Sequence, residues 1–376
     1  MTSPRVQLPR YDEGSIGDVV PAVLAAIGVS GEVETLGLPP ARGYCVLLID
    51  GLGWNLLRRH AADAPFLSSL LADGQALSVG APSTTATSLT SLGTGLPPGR
   101  HGVVGYTSRR PGTTDVLLNA LTWDPQVDPI AYQPHPTVFE RAVAADVDVS
   151  AVSKRQFRES GLTLAGLRGP RFRGADSLGE RVAAVAEELA KGARSVVYVY
   201  DGDLDYTGHR HGCASPAWRH QLVQLDRFAE QIYDELSPGT GLVVTADHGM
   251  IDVPLESRID VDDKPELREG VELIGGEARF RHVYVEPGAL SDVRELWQDV
   301  VGDRAIVATR DEAVANGWFG AIEMRVLDRI GDLLVVSGDG FAVELRTVFP
   351  FEAKLIGLHG GLSADELLVP LLVATA

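Results

Sequence analysis

Cysteine is nearly absent from this chain. Its 376 residues include two, Cys45 and Cys213, too few and too far apart for a disulfide scaffold or for a thiolate site that would select zinc alone. Positive charge is in deficit as well. Lys plus Arg number 33 against 51 Asp plus Glu, a formal net charge of −18. A protein that coats nucleic acid shows the opposite footprint, so no nucleic-acid polymer is expected as a partner. A small anionic substrate remains admissible, because bound divalent cations reverse the field locally. No stretch reaches the roughly 18 uninterrupted apolar residues that span a bilayer. The run Val19–Val29 (VVPAVLAAIGV) is short, carries an early proline and reads as a buried helix. The N-terminal MTSPRVQLPRYDEGS has no apolar signal core, so the expectation is a cytoplasmic protein with no membrane partner. Nothing repeats at a fixed period, and no feature marks a subunit interface, which leaves the oligomeric state open.

What the chain does have is material for a large core: 45% of its residues are hydrophobic. Three apolar runs stand out, Tyr44–Ile49 (YCVLLI), Ser195–Tyr200 (SVVYVY) and Gly241–Ala246 (GLVVTA). Each is continuous rather than alternating, the pattern of a strand buried on both faces. Helical stretches are expected at Asn55–Leu71, at Asp176–Lys191 with a cap at Asp176 or Ser177, and at Ala217–Leu236. Strand and helix alternate, which predicts an α/β fold with a mostly parallel central sheet flanked by helices. Beyond Met250 the texture changes. Strands are expected at Arg279–Val285 and Asp332–Ser337, helices at Leu290–Val301 and Asp311–Asn316. This predicts a smaller α+β cap-like insertion over 255–345, with the catalytic domain formed by 1–254 and 346–376. The last apolar run, Glu366–Ala374, is expected to rejoin the main core.

The ends of the three buried runs carry the chemical signal. The first ends in Asp50, the second leads into Asp201, Asp203 and Asp205, and the third ends in Asp247-His248. Ligands of parallel α/β sheets bind just outside the carboxyl ends of the strands. Carboxylates gathered there would repel one another and raise each other's pKa values, a conflict that a pair of cations resolves. Asp247-His248 offers an oxygen and an imidazole from adjacent residues. Asp205 and His209 offer the same pair across what reads as a tight, glycine-containing turn. His359 stands in HGG, where glycines permit close backbone approach. Oxygen and imidazole together suit Zn²⁺, and also Mn²⁺ or Fe²⁺. Any one of these elements alone is more often a turn former or a surface histidine; their joint occurrence at successive strand ends points to a metal site.

A nucleophile is sought in Pro82–Gly95 (PSTTATSLTSLGTG), dense in Ser and Thr. The plain reading is a polar loop and a capped helix. The functional reading is a hydroxyl activated at a metal, at a helix start whose free N–H groups favour phosphate. Composition does not choose among Thr84, Thr85 and Thr87.

Taken in order, LLIDGLG at 47–53, PSTTATSLTSLGTGLPPGRHGVVG at 82–105, DYTGHRHG at 205–212, TADHGM at 245–250 and HGG at 359–361 resemble the alkaline phosphatase superfamily, and within it the type I phosphodiesterase/nucleotide pyrophosphatase family. Together they span nearly the whole chain. The resemblance implies that Thr85 is the nucleophile, that one divalent metal is held by Asp50, Thr85, Asp247 and His248, and that the other is held by Asp205, His209 and His359. It implies a two-metal hydrolase that cleaves a phosphodiester or pyrophosphate bond in a small molecule through a covalent phospho-threonine. A phosphonate or phosphomonoester hydrolase on the same site is the competing activity, and a non-catalytic metal-binding relative is disfavoured because all seven ligand positions are intact. The sequence departs from the family pattern at Ala86, where an aromatic residue usually follows the nucleophile. It departs again at Tyr106, where an Asn usually holds a phosphate oxygen, and at Ser88, where Asn is frequent; Tyr106 and Ser88 are the expected substrate-binding residues. The absence of a basic residue in 82–95 favours diesters.

Three weaker features complete the reading. Lys154, Arg155, Arg158, Arg168, Arg171 and Arg173 form a basic cluster, either a substrate entrance or, more in keeping with surface charge generally, a solvated face paired with local acids. Asp201 and Asp203 are either partners of the ligand histidines or turn residues. Trp123 is the tryptophan best placed by sequence to line a pocket.

Overall fold

The computed structural model describes residues 6–11 and 13–376; residues 1–5 and Asp12, part of the N-terminal stretch read above for a signal core, lie outside it. Two principal sheets organise it. In chain order their strands are β1 (Gly43–Ile49), β2 (Gln75–Ser78), β3 (Asp148–Ser153), β4 (Arg171–Gly174), β5 (Ser195–Asp201), β6 (Thr240–Thr245), β7 (Val271–Glu277), β8 (Phe280–Val285), β9 (Ala305–Thr309), β10 (Leu333–Ser337) and β11 (Leu368–Thr375). The central sheet has seven of them in the order β2-β11-β6-β1-β5-β3-β4. β11 alone runs opposite in direction to the other six. The three Val/Leu-rich runs are β1, β5 and β6, side by side at its centre. Every residue of β1 and β6 is buried, which is why these runs show no polar alternation.

The helices flank that sheet. They include α1 (Val19–Ala26), α2 (Trp54–Arg59), α3 (Thr85–Thr94), α4 (Leu178–Leu189), α5 (Asp203–His211) and α6 (Pro216–Asp234). The expected cap of α4 is Ser177, in a reciprocal capping box with Glu180. The single helix expected over Asn55–Leu71 is instead three pieces: α2, a turn at Ala61–Asp63 and a short helix at Pro65–Ser69. Pro65 explains the break. Its ring excludes the helical conformation from the residue before it, and Ala64 sits at φ −135°, ψ 66°. The other correction concerns Asp205 to His209, expected as a tight turn. They lie within α5, whose first turn is fixed by the Asp201 carboxylate accepting from Asp203 N–H at 2.9 Å.

The second sheet, β7-β8-β10-β9, is antiparallel, with α7 (Leu290–Val301) and α8 (Arg310–Ala315) beside it. Alternate residues serve two cores. Val283, Leu333 and Val335 join an apolar cluster with Trp297, whereas Phe280, Leu334 and Val336 pack into the main core. Among the described residues no helix is long and apolar enough to cross a membrane.

A buried ion pair joins the second sheet to the start of β11. Arg279 and Glu366, both fully buried, meet in a two-pronged contact of 2.9 and 2.6 Å. Glu366 also accepts from Gly361 N–H at 2.8 Å and from the Ser363 hydroxyl at 2.6 Å, so it organises the loop that follows His359. Arg279→Ala leaves that carboxylate buried and unpaired, and is expected to cost about 3–5 kcal/mol. Urea unfolding should show the loss as a lower midpoint at unchanged slope, and an effect near zero would mean that the pair does not bear on stability.

Candidate metal centre

The parallel register brings the strand ends level. Ile49 pairs with Asp201 and Leu48 with Thr245, so Asp50 and Asp247 emerge at the same edge. Gly51, at φ +76°, turns the chain there. A β-carbon on it would come within 3.1 Å of Asp205, so its bare backbone lets α5 approach the end of β1. On α5, Asp205 and His209 are four residues apart and share a face. His359 arrives from the loop before β11.

The seven candidate positions converge. Two groups of possible ligand atoms form, Asp50 with Asp247 and His248, and Asp205 with His209 and His359, the atoms of each lying within 4.8 Å of one another. The groups adjoin, since the His248 and His359 rings stack at 3.6 Å between centroids. His248 Nε2 is 3.3 Å from Asp50 and 3.5 Å from Asp247, while His209 Nε2 is 3.4 Å from Asp205. Of the three candidate threonines, Thr85 is the one whose hydroxyl meets the cluster, 3.1 Å from His248 Nε2. Thr84 is the N-cap residue of α3 and does not cap it through its side chain, and Thr87 is buried with an unpartnered hydroxyl.

The donor set fits divalent cations on two observations. First, Asp50, Asp205 and Asp247 each keep one buried carboxylate oxygen with no hydrogen-bond partner among the described residues. Leaving such an atom unsatisfied costs about 1–3 kcal/mol, more when it is charged. Burial, then the charges of Asp247 and Asp205, push the Asp50 carboxyl well above its ordinary range; burial likewise raises Asp247. Second, all three histidines place Nδ1 against a backbone carbonyl: His209 on Gly357 at 2.7 Å, His248 on Gly249 at 3.0 Å and His359 on Ser83 at 3.0 Å. A carbonyl only accepts, so each Nδ1 carries the proton and each Nε2 presents a lone pair. Burial, with the neighbouring His248 and His209, holds His359 well below its usual pKa and therefore neutral.

Sequence reasoning missed two contributors. Tyr200 donates its hydroxyl to Asp50, and burial together with the Asp50 and Asp247 charges raises the phenol so that it remains a donor. Its signal was slight, a Tyr one residue before a strand end. The second is Glu277 at the end of β7, whose carboxyl burial pushes up to about 8.

Two cavities of about 250 Å³ each open on Thr85 and Asp205. The larger share of the first wall is apolar and aromatic, with Leu121, Phe157, Phe172, Tyr198 and Tyr200 beside Asp50. The second is lined by Tyr106, Glu277, Glu352 and Phe351 beside His209 and His359. Tyr106 thus borders the site. Ser88 is fully buried on α3 and lines neither cavity. Trp123, expected at a pocket, is core: it packs edge-on against Tyr132 and donates to Val127 O at 2.8 Å.

The remaining sequence candidates resolve into local pairs. Asp201 forms a buried ion pair with Arg181, and Asp203 meets Lys154, so the ligand histidines draw on carbonyls instead. In the basic cluster, Arg155 pairs with Asp176, Arg168 with Glu140, Arg171 with Asp148 and Arg173 with Glu187, while Arg158 lies over Phe172. That is the solvated, acid-paired face rather than a substrate entrance.

The model of the type I phosphodiesterase / nucleotide pyrophosphatase family matches residues 44–360. Human ectonucleotide pyrophosphatase/phosphodiesterase 5 shares the fold at a TM-score of 0.69, with 17% identity over 88% of this chain and 87% of that one. Phosphonoacetate hydrolase from Sinorhizobium meliloti 1021, solved with phosphonoformate, gives a TM-score of 0.67, with 21% identity over 89% of this chain and 90% of that one. A phosphopentomutase from Anaeromyxobacter dehalogenans (strain 2CP-C) is 40% identical over 122 residues, which is 31% of this chain and 28% of that protein.

The charge balance of the cluster is testable without a substrate. In chelator-treated protein, Asp247→Asn relieves repulsion and is expected to raise Tm. In protein supplemented with a divalent cation the same change, which takes a donor from the candidate cluster, is expected to lower Tm and to reduce the metal bound. Thermal melts with and without chelator, and elemental analysis, read both signs; a drop in Tm under both conditions would refute the repulsion.

Proposed function

We propose, from the premise that the chain belongs to the type I phosphodiesterase / nucleotide pyrophosphatase family, that this phosphoester hydrolase cleaves a phosphodiester or pyrophosphate bond in a small molecule, with Thr85 as nucleophile. The observation that carries the reading is the contact of Thr85 Oγ1 with His248 Nε2 where the two ligand groups adjoin. The family is metal-dependent. Here Asp50, Asp247, His248 and Thr85 would hold one divalent ion, and Asp205, His209 and His359 a second. Three imidazole nitrogens make Zn²⁺ the ion proposed, with Mn²⁺ and Fe²⁺ accepted by the same atoms. Bound there, such ions supply Lewis acidity toward a hydroxyl and toward phosphoryl oxygens.

The chain's own residues supply the rest. Thr85 is the first residue of α3, so the first-turn N–H groups, uncapped by the Thr84 side chain, face the region where phosphoryl oxygens would gather. Thr85 Oγ1 then bonds to phosphorus as the opposite P–O ester bond breaks, the hydroxyl proton balancing the one taken up by the departing alkoxide; water later attacks phosphorus, its oxygen staying there as the P–O(Thr85) bond breaks and the threonine hydroxyl is reprotonated. Tyr200 holds one oxygen of Asp50 and leaves the other for the site.

The walls support a diester. Among the described residues no lysine or arginine lines either cavity, so nothing balances the added charge of a monoester or the carboxylate of a phosphonoacetate-like substrate. The apolar cavity beside Asp50 suits an uncharged aromatic or aliphatic substituent. One murine relative of 16% identity, ectonucleotide pyrophosphatase/phosphodiesterase 5, is described as an inactive threonine-to-alanine variant in complex with AMP, which accords with a threonine essential to activity and a small phosphoester ligand.

A p-nitrophenyl panel tests the assignment: a thymidine phosphodiester, a phosphate monoester and a phenylphosphonate. The diester is expected to lead the monoester by about tenfold or more in kcat/KM, a gap of about 1.4 kcal/mol. Thr85→Ala is expected to lower diester turnover by roughly a thousandfold or more while metal stays bound. Full activity in that variant would remove Thr85 from the role, and monoester preference would overturn the substrate class.

A further inference from the structure

The second cavity holds a group that the chemistry above does not use. Glu277 closes β7, and its side chain is buried against the loop after His359. Gly360, at φ +111°, makes the room: a β-carbon there would fall 2.5 Å from Glu277 Cγ. The second glycine of HGG therefore admits a carboxyl from the second sheet. Neither Glu277 oxygen has a hydrogen-bond partner among the described residues; the adjacent Thr84 hydroxyl favours the ionised form but falls short of hydrogen-bond geometry. Every other buried acid around this hairpin is matched, Glu366 by Arg279 and Glu352 by Arg281. An unmatched buried carboxyl weakens the fold, so its retention beside Thr85 calls for a ligand that completes it.

The surroundings say what that ligand offers. The cavity wall carries Glu277, Glu352 and Asp205 with the rings of Tyr106 and Phe351, and no basic side chain among the described residues. Oxygens without donors seek donors, and aromatic faces tolerate a cation. We propose that Glu277 is a substrate-recognition residue, and that this cavity takes a hydrogen-bond-donating group, a hydroxyl or an ammonium, carried on the non-reacting side of the phosphodiester. The inference rests on the phosphodiesterase reading and deepens it. The first cavity is apolar and the second bears acceptors, so the substrate has two unlike arms flanking its phosphorus.

Three p-nitrophenyl diesters separate the possibilities, with propyl, 3-hydroxypropyl or 3-aminopropyl as the second ester. The wild-type protein is expected to favour a donor-bearing ester over the propyl one by about tenfold or more in kcat/KM, because the propyl chain leaves the carboxyl unpaired. Glu277→Leu should erase that gap by lowering kcat/KM of the donor-bearing esters toward that of the propyl ester, with metal content unchanged. Its Tm should not fall, since an unpaired buried carboxyl has been removed. Glu277→Gln serves as the isosteric control: retained preference for the hydroxypropyl ester identifies a hydroxyl, and preference confined to the aminopropyl ester and lost in this variant identifies an ammonium. Turnover of all three esters at equal rates in the wild type would overturn the proposal alone. So would equal slowing of all three by Glu277→Leu, or loss of metal from that variant. If none of the esters is cleaved, the phosphodiesterase reading falls and takes this one with it.

Discussion

The architecture depends on holding three carboxylates together where they repel. Asp50, Asp205 and Asp247 each turn a bare oxygen into one buried space, with no arginine or lysine of the described chain to balance them. Hydrogen bonds from Tyr200 to Asp50 and from Gly51 N–H to Asp247 offset part of that repulsion. The cluster is held by the framework behind it, three fully packed parallel strands whose register brings β1, β5 and β6 to an end at one level. The stability stored in that packing is what permits an unfavourable cluster at its rim, and cation binding returns part of the cost.

The same logic explains the histidines. An imidazole in such a field would protonate and become a local counter-ion, which would end its use as a ligand. A backbone carbonyl holds the proton on Nδ1 of each ring, and at His359 burial, with His248 and His209 beside it, opposes a second proton on Nε2. The His248 ring, stacked 3.6 Å away between centroids, adds to this at His359. The tautomer is thus set by the backbone path, through the loops carrying Gly249, Gly357 and Ser83.

Much of this was legible in the sequence because it was written in residue type at fixed spacing. Continuous Val/Leu runs gave away doubly buried strands, and the aspartates at their ends gave away the rim. What escaped had its cause in three dimensions. The Asp205–His209 segment, rich in turn formers, is helical because Asp201 caps its first turn and α6 packs behind it. Pro65 split a helix whose apolar periodicity ran on through it. The basic cluster was read chiefly as a solvated, acid-paired face, but which acids meet its arginines depends on neighbouring strands and helices. Histidine Nδ1 partners are carbonyls, invisible in principle to any reading of side chains. Glu277 belongs to a different sheet from every metal-site residue, and only the fold brings its hairpin against Gly360.

That last juxtaposition shows how the two sheets divide the work. The central sheet presents a cluster of carboxylate oxygens and imidazoles, the donor set of the candidate metal centre. Recognition of what the phosphorus carries must come from elsewhere, and the second sheet reaches the site through one hairpin, β7 to β8. The Arg279–Glu366 pair fastens that hairpin to the start of β11, and the same glutamate ties down Gly361 two residues after His359. A ligand, a glycine and a wall residue are therefore positioned by one buried contact. Glu277, in the wall of the proposed recognition cavity, and His359, a donor of the candidate metal centre, thus lie on either side of one tethered junction. The tether is local: Arg279 reaches Glu366, and Glu366 in turn accepts from Gly361 N–H and the Ser363 hydroxyl, so one buried set of hydrogen bonds fixes both the hairpin and the loop after His359.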